Sequence, residues 1–485
     1  MPSSLLASTP LEATSPEATG AAPPPLDGAR PATAAELASA AQPLTVPPLA
    51  ELIGGGEVVP VVSGQRVRYV NLDYAASAPA LRPVANLVKQ VLPLYASVHR
   101  GAGYASQACT AAYEAARRDV SAFLGAGGDD VTVFTRNTTD ALNLLARAVP
   151  GPVVCLDIEH HASLLPWQER IVVPVQPTLT GTLAALEAAL AATAAALVAV
   201  TGASNVTGEC PPLARLAELA HRYGARLAVD GAQLVPHRRV DMAASGIDYL
   251  AFSGHKVYAP FGAGALVGRR DWLDAAPAYL AGGGAVRAVE LDSVRWAAAP
   301  ARHEAGTPNV VGALALAAAC RCIASLPPGA VREHESALLR RLTDGLASAG
   351  ARVLRIWSGA DSLSSSLDRV AVASFTVPGY PAALVASYLS AEHGIGVRDG
   401  KFCAHPLLAR LADSETAVRA SLGLGSSSED VDRLITALGQ LRVQGPAWTY
   451  DAEHRPAPDP RPLPTWAVPS LADFSPLDSR SPCAG

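Results

Sequence analysis

The middle of the chain alternates between short apolar runs and longer segments in which apolar residues recur at helical spacing. Apolar runs bounded by turn residues predict buried strands, and the segments of helical spacing predict amphipathic helices. These runs and segments are VTVFTRN (131–137), TTDALNLLARAV (138–149), PVVCLDI (152–158), LAALEAALAATAAA (183–196), ALVAVT (196–201), PPLARLAELAHRYG (211–224), RLAVDGAQ (226–233), DYLAFSGHK (248–256) and GAGALVG (262–268). Continuous apolar strands that alternate with helices predict an α/β fold with a mostly parallel sheet between layers of helices.

The pattern changes in the C-terminal third of the chain. RVAVASFTV (369–377) alternates apolar and polar positions, as a strand with one buried face does, and EDVDRLITALGQL (429–441) has helical spacing. Ser426 and Glu429 predict a capping box before that last helix. These features predict a second, smaller domain of the α+β class.

Composition sets the limits of the two predicted domains, because both ends of the chain lack hydrophobic periodicity. The N-terminal end is rich in Pro and Ala, which predicts a disordered extension, and the C-terminal end is a Pro-rich tail of the same character. The predicted boundaries are 1–48 for the extension, 49–310 for the large domain, 311–444 for the small domain and 445–485 for the tail. Within the large domain, residues 49–80 are expected to form an N-terminal arm that contributes to the small domain.

Charge and cysteine content exclude several classes of protein. The chain has 38 basic and 43 acidic residues and a net charge of −5, so nothing favours binding to nucleic acid or to an anionic membrane. It has no apolar run long enough to span a bilayer and no convincing secretion signal. The seven cysteines form no CxxC pair, so neither a zinc site nor a disulfide framework is expected. We predict a cytoplasmic protein without a metal.

Polar residues follow several of the predicted strands at the points where those strands end. The carboxyl ends of parallel strands meet at one edge of a sheet, and ligands bind there in folds of this class. Lys256 is the most unusual of these residues, because lysine is rarely buried without a partner. The other candidates are Asn137, Thr138, Thr139, His160, His161, Asn205, Asp230, Gln233, Ser253 and His255.

Each of these residues also has an ordinary structural explanation. A carboxylate such as Asp230 can cap a helix, an Asn-Thr-Thr run can be an N-cap, and a lone His160 can be a hydrogen-bonded structural residue. Their combination is more specific. An amine, a carboxylate on a separate strand, a helix start able to bind phosphate and a flat ring for stacking are together what pyridoxal 5'-phosphate needs.

The residue types have distinct roles toward that cofactor. Lys256 would form the Schiff base with the aldehyde. Asp230 would keep the pyridinium nitrogen protonated, and Gln233 would donate to the ring oxygen. His160 would lie against the pyridine ring and, when neutral, act as a base. The phosphate would bind to Thr138, Thr139, Ser253 and His255.

Ten motifs, in order, resemble the class-V aminotransferase family of fold-type I enzymes that use pyridoxal phosphate, and most closely its Suf-type, or group II, cysteine desulfurases. The resemblance covers about residues 69 to 441, and the motifs are NLDYAASAP, VHRGAGYAS, TRNTTDALNL, EHHASLLPWQ, ASNVTGE, VDGAQ, FSGHK, EAGTPN, VRDGKFCAHPLL and VRASLGL. The resemblance implies a large domain with a mostly parallel seven-stranded sheet, a small α+β domain, a homodimer, an amino-acid substrate and a sulfur-acceptor protein.

The resemblance also implies roles for residues outside the predicted cofactor site. Arg419 would clamp the α-carboxylate of the substrate as a bidentate guanidinium, with help from Asn205. Thr307 would reach the phosphate of the neighbouring subunit. Cys403 would take the sulfur of L-cysteine as a persulfide while L-alanine is released. Three more residues are expected near the pocket: His99, Arg100 and Arg398.

The segment around Cys403 departs from the Suf-type pattern. RTGHHCA is replaced by RDGKFCA, so Asp399, Lys401 and Phe402 differ. By composition alone Cys403 would be an ordinary loop thiol, whereas its position in the motif favours a functional one, and Lys401 beside it would favour the thiolate.

Because of this departure, other enzymes of the same scaffold stay open. They are a C–S lyase acting on a cysteine conjugate, a selenocysteine lyase, an aminotransferase and an epimerase. A non-catalytic binding protein or scaffold is disfavoured, because a decayed enzyme is expected to lose some of Lys256, Asp230 and His160.

Overall fold

The structure, a computed structural model, describes residues 45–99, 101–464 and 467. The described residues form one compact unit. Most of the extension predicted at 1–48 therefore lies outside the described residues. None of the described helices has both the length and the apolar composition needed to cross a membrane.

The described residues form short strands throughout the chain. The strands are β1 (Val58–Pro60), β2 (Arg66–Arg68), β3 (Val70–Asn71), β4 (Asp130–Thr135), β5 (Val153–Leu156), β6 (Arg170–Val173), β7 (Leu197–Thr201), β8 (Arg226–Asp230), β9 (Tyr249–Ser253), β10 (Gly264–Arg269), β11 (Val286–Val289), β12 (Val294–Trp296), β13 (Arg352–Val353), β14 (Val372–Thr376), β15 (Ile395–Gly396), β16 (Arg398–Gly400) and β17 (Ala417–Ser421).

Helices connect and cover these strands. The α-helices are α1 (Arg82–Val91), α2 (Tyr104–Phe123), α3 (Thr138–Ala148), α4 (His161–Leu164), α5 (Leu179–Ala191), α6 (Leu213–Arg222), α7 (Met242–Ser245), α8 (Arg270–Ala275), α9 (Val310–Ala324), α10 (Ala330–Ser348), α11 (Ser362–Ser365), α12 (Ala382–His393), α13 (His405–Leu411) and α14 (Ser428–Gln444).

The main sheet has seven strands in the order β4-β10-β9-β8-β7-β5-β6. Strands β6, β5, β7, β8 and β9 pair in parallel, and every residue of β5, β7 and β9 is buried. Strand β10 is antiparallel to both of its neighbours, because the short segment after β9 contains no crossover helix. The prediction of a mostly parallel seven-stranded sheet is confirmed.

A second sheet lies in the C-terminal part of the chain. Its order is β13-β14-β17-β16, with antiparallel pairing throughout. Strand β3 pairs in parallel with β15, and Val70 and Leu72 are buried in the same cluster as residues of this sheet. The segment that leads into the large sheet therefore packs on the second sheet, and the domain boundaries at 310 and 444 stay predictions.

Two helices begin at other residues than the pattern predicts. The capping box before α14 uses Ser427 and Asp430 rather than Ser426 and Glu429. The hydroxyl of Ser426 accepts a hydrogen bond from Gly423 N at 3.0 Å and so belongs to the preceding turn. Helix α5 begins at Leu179 instead of residue 183, because the Thr178 side chain caps it.

Residues 445–464 belong to the tail that composition predicts to be disordered. In the structure they lie against α12. Ala447 N and Trp448 N donate hydrogen bonds to the Glu392 carboxylate at 2.9 and 3.2 Å, and the Tyr450 hydroxyl donates to the same group at 2.9 Å. Two aromatic side chains give this proline-rich segment apolar surface to bury, and composition averaged over the whole tail hides them.

Candidate active site

One cavity of about 240 Å3 lies where β7, β8 and β9 end, and it collects most of the predicted site residues. The last residues of these strands, Thr201, Asp230 and Ser253, all line it. The other predicted site residues in its lining are Thr138, Thr139, His160, Asn205, Gln233, His255, Lys256, Arg398, Cys403 and Arg419. Residues up to 281 positions apart in the sequence therefore share one chemical environment.

Lys256 lies three residues beyond β9, in a turn where its N–H donates to Ser253 O at 3.3 Å. Burial lowers the pKa of the Lys256 amine to about 8, the Asp230 carboxylate opposes that shift, and the positive charge of Arg419 adds to it. A lysine with a lowered pKa supplies the neutral amine that a nucleophile needs near neutral pH.

Asp230 is a buried carboxylate that lacks a cation of its own. It is 5% exposed and accepts a hydrogen bond from Ala232 N at 3.0 Å. Among the described residues it forms no ion pair within 4 Å, and burial raises its pKa while Lys256 lowers it. A buried carboxylate facing a cavity fits a cationic ligand atom, such as a protonated pyridine nitrogen.

The start of α3 also lines the cavity. Asn137 caps the helix, and Thr138 N and Oγ1 both lie 2.7 Å from the hydroxyl of Ser253. Thr139 and His255 line the cavity beside them. A helix N-terminus with hydroxyl groups around it suits a phosphate.

His160 has a defined tautomer because one of its ring nitrogens is occupied. Its Nδ1 accepts a hydrogen bond from Ala162 N at 3.0 Å, so the neutral ring carries its proton on Nε2. Burial lowers the pKa of His160 to about 3, and Lys256 adds to that shift. The ring is therefore a neutral Nε2–H donor, and the predicted role as a base requires Nδ1 to release Ala162 N.

Arg419 is a buried cation in the lining of the cavity. It is 3% exposed, and its Nη1 and Nη2 donate to Asn205 O and Asp73 Oδ1, both at 3.0 Å. Burial lowers the pKa of Arg419, and Asp73 opposes the shift. Arg398 lies directly opposite Arg419 in the register of β16 and β17. Both arginines line the cavity, and a guanidinium group is suited to bind a carboxylate.

Asp73 is a site residue that sequence reasoning missed. It lies within NLDYAASAP, one of the ten motifs of the resemblance. Nothing in the local pattern connects it to Arg419, which is 346 residues away. The pairing of β3 with β15 and a bridge between Asp73 and Ser421 bring the two segments together.

Gln233 and Asn205 line the cavity and also fix the backbone around it. Gln233 Nε2 donates to Ala75 O at 2.6 Å, which uses one of its two amide hydrogens. Asn205 Nδ2 donates to Phe402 O at 2.8 Å and thereby holds the loop that carries Cys403.

Cys403 is a partly buried residue of the cavity lining, on a loop fixed by several hydrogen bonds. Its carbonyl accepts from His161 N at 2.9 Å. The negative charge of the Cys403 thiolate raises the pKa of Lys256 and that of Arg419. The interaction is mutual, so these two cations stabilise the thiolate. The expectation that Lys401 also favours the thiolate stays a prediction.

Lys401 forms an ion pair with a carboxylate. Its Nζ lies 3.1 Å from Glu415 Oε2, and that ion pair joins the loop to the segment before β17. The carboxylate compensates the positive charge that the sequence placed beside the thiol.

Three predicted residues of the described chain do not line the cavity: His99, His161 and Thr307. His99 Nε2 lies 2.9 Å from Glu114 Oε1, and His99 is not part of the cavity lining. Thr307 is exposed, and its predicted role concerns a neighbouring subunit. Arg100 lies outside the described residues.

Glu159 is a buried carboxyl group that the sequence did not single out. It precedes His160, is 0% exposed, and forms no ion pair within 4 Å among the described residues. Burial raises the pKa of Glu159 to about 8, and the Asp230 carboxylate adds to the rise.

We expect Glu159→Gln to stabilise the protein in a pH-dependent way. From pH 4.5, the unfolded pKa, to about 8, the folded state keeps a proton that the unfolded state has released, so stability falls as pH rises. The glutamine variant has no such proton to release. Over this range, its gain in free energy of unfolding over wild type should therefore grow by at most about 1.4 kcal/mol per pH unit. Urea unfolding at pH 5, 7 and 8 measures it.

The matched control is Glu209→Gln. Glu209 is equally buried, but its carboxylate is bonded by Arg355 Nε at 2.9 Å and Ile356 N at 2.7 Å. Losing that charge should destabilise the protein. A stability difference for Glu159→Gln that is the same at all three pH values would contradict the assignment.

Known proteins share this arrangement. A family model described as aminotransferase class V matches residues 70–434. The chain is 36% identical over 397 residues to a cysteine desulfurase of Klebsiella pneumoniae, a match that covers 78% of this chain and 94% of the relative. It is 37% identical over 399 residues to one of Dickeya dadantii, covering 78% and 93%.

Solved structures agree with these relatives. The crystal structure of the cysteine desulfurase CsdA from Escherichia coli superimposes with a TM-score of 0.68 at 33% identity, and covers 77% of this chain and 94% of that one. The apo cysteine desulfurase from Thermococcus onnurineus gives 0.70 at 32% identity, with the same coverage. The fold, a cavity at the carboxyl edge of its sheet and a family match over more than half of the sequence together establish that the chain belongs to the class-V aminotransferase family.

Proposed function

We propose that this protein is a pyridoxal-phosphate-dependent cysteine desulfurase that converts L-cysteine to L-alanine and leaves a persulfide on Cys403. The observation that carries the proposal is the single cavity shared by Lys256, Asp230, Arg419 and Cys403. These residues supply an amine for the cofactor, a counter-charge for its ring, a cation for the substrate carboxylate and a thiol for its sulfur. Relatives named cysteine desulfurase, similar over most of the chain, support the same choice.

The residues of the cavity fit pyridoxal phosphate. Lys256 would hold its aldehyde, Asp230 its ring nitrogen, and the N-terminus of α3 with Ser253 its phosphate. The buried carboxylate without a cation and the start of α3 have the charges that the two ends of this cofactor require. When bound, the cofactor supplies an electron sink that stabilises negative charge at the substrate α-carbon.

The substrate end of the cavity would orient the amino acid. Arg419 and Arg398 place positive charge on adjacent strands, and a carboxylate bound there fixes one end of the substrate. Asp73 holds Arg419 before substrate arrives, so the guanidinium is oriented in advance.

Proton transfer falls to Lys256 and His160. As a free amine with a lowered pKa, Lys256 Nζ would be suited to accept the α-proton of the substrate and to return it. His160 stays neutral and offers Nε2–H as a donor toward groups in the cavity.

Cys403 would perform sulfur transfer. Its thiolate attacks the substrate sulfur, so that an S–S bond forms as the Cβ–S bond breaks. The carbon keeps the electron pair of the broken bond and is protonated, which gives alanine. Lys256 and Arg419 favour the thiolate by their positive charge.

The finer assignments are proposals of the same kind. A homodimer would give exposed Thr307 its partner phosphate, and a sulfur-acceptor protein would take the persulfide from Cys403 in the lining of the cavity. Both fit the reducing cytosol that the scattered cysteines indicate.

Incubation of the holoenzyme with L-cysteine tests the proposal. We expect alanine and protein-bound persulfide in equal amounts during the first turnover, because each Cβ–S bond broken leaves one sulfur on the protein. Amino-acid analysis and mass spectrometry measure the two products. Pyruvate with sulfide would indicate a C–S lyase instead, and accumulation of pyridoxamine phosphate with an amino donor would indicate an aminotransferase.

A further inference from the structure

The residue before Cys403, Phe402, attaches the cysteine loop to the rest of the site. Phe402 O accepts a hydrogen bond from Asn205 Nδ2 at 2.8 Å, and Cys403 O accepts one from His161 N at 2.9 Å. Two successive carbonyl groups are therefore fixed from different elements. A cysteine places its sulfur with one side-chain torsion, so a fixed backbone leaves the thiol only a few staggered positions.

The backbone of this loop has an uncommon conformation that needs such support. Phe402 and Cys403 have φ values of 52° and 53°, both in the left-handed region. Bulky residues rarely adopt that region, and they remain there only where surrounding contacts hold them. Loss of one support is therefore expected to let the loop relax.

The phenyl ring of Phe402 is a further support, and it touches the substrate-binding cation. The side chain is 3% exposed, and Arg419 Cζ lies 5.1 Å from the ring centroid. A guanidinium next to an aromatic ring is attracted electrostatically, and more strongly when both groups are buried, as they are here.

We infer that Phe402 is a positioning residue that couples Arg419 to Cys403. Its ring orients the guanidinium toward the α-carboxylate of the substrate, and its backbone orients the thiol toward the sulfur of that same substrate. The inference rests on the proposed function for the identity of the substrate. The Suf-type pattern has histidine at this position, so the phenyl ring distinguishes this chain from that pattern.

Two measurements on the holoenzyme, for Phe402→Leu and Phe402→His, test the coupling. Binding of L-alanine, followed by the visible absorption of the bound cofactor, reports on the carboxylate site. Alkylation of Cys403 by iodoacetamide, followed by peptide mass spectrometry, reports on the loop, and it is repeated without cofactor. Phe402→His keeps an aromatic face, whereas Phe402→Leu keeps only apolar volume.

We expect Phe402→Leu to change both measurements together. The dissociation constant for L-alanine should rise about fivefold, because the buried cation loses its aromatic partner. The alkylation rate of Cys403 should rise about threefold or more, because a loop with fewer contacts opens more often. For Phe402→His, the dissociation constant and the alkylation rate should both stay within about twofold of wild type, because the imidazole ring still offers a π-face to the cation.

Controls separate coupling from loss of structure. Glu415→Gln breaks the outer ion pair of the loop with Lys401 and should leave L-alanine binding unchanged. Phe402→Gly removes the ring while suiting the left-handed backbone, so it should fold and still bind L-alanine more weakly.

The inference is overturned if Phe402→Leu and Phe402→Gly leave L-alanine binding as in wild type, or if wild type binds no L-alanine. Failure of the proposed function looks different. A wild-type enzyme that makes no alanine from L-cysteine removes that function, whereas normal turnover with unaffected Phe402 variants removes only the coupling.

Discussion

Lys256→Ala is expected to give a colourless protein and to lower alanine formation by roughly 10^4-fold or more, as removal of a covalent catalytic group does. The variant loses both the amine that would hold the cofactor aldehyde and the base that would move the α-proton. The visible absorption spectrum after incubation with pyridoxal phosphate and the rate of alanine formation from L-cysteine measure the two losses.

Lys89→Ala is the matched control for this variant. Lys89 is exposed on α1 and is not part of the cavity lining, so its loss should change neither spectrum nor rate. If Lys256→Ala kept the visible absorption band and its turnover, the cofactor would be held elsewhere and the assignment of the site would be wrong.

Cys403→Ser is expected to separate substrate binding from sulfur transfer. The variant keeps Lys256, Asp230 and Arg419, so L-cysteine should still change the absorption of the bound cofactor. Without the thiol no persulfide can form, and alanine formation should fall to about 1% or less, because a hydroxyl at its ordinary pKa is a weak nucleophile. Single-turnover spectra and mass spectrometry of the protein measure these two outcomes.

Cys322→Ser is its control, since Cys322 is a partly buried thiol on α9 outside the cavity lining. It should form persulfide and alanine at the wild-type rate. Full turnover of Cys403→Ser with release of sulfide and pyruvate would contradict the desulfurase proposal and favour a C–S lyase.

The sheet and the edge of it that carries the cavity could be predicted because they depend on local patterns. Lys256 and Asp230 are 26 positions apart, yet both follow apolar strands of a parallel sheet, and neighbouring parallel strands end at the same edge. The same reasoning placed Ser253 and the start of α3 together, which a hydrogen bond of 2.7 Å confirms.

The surroundings of Arg419, Lys401 and His160 depend on contacts that no local pattern contains. The ion pair of Asp73 with Arg419 joins segments from the two ends of the fold. Lys401 lies two positions from Cys403, but the folded chain turns its ammonium toward Glu415, because a charge is paired by whichever segment packs beside it. The tautomer of His160 likewise depends on one backbone N–H, that of Ala162.

Reduction with borohydride tests the central claim most directly, because it makes a lysine–cofactor link permanent. The full sequence contains three lysines, Lys89, Lys256 and Lys401, so peptide mapping by mass spectrometry can assign the adduct without ambiguity. After incubation with pyridoxal phosphate and reduction, we expect one phosphopyridoxyl group per chain, on Lys256. No adduct, or an adduct on Lys89 or Lys401 in place of Lys256, would contradict the account.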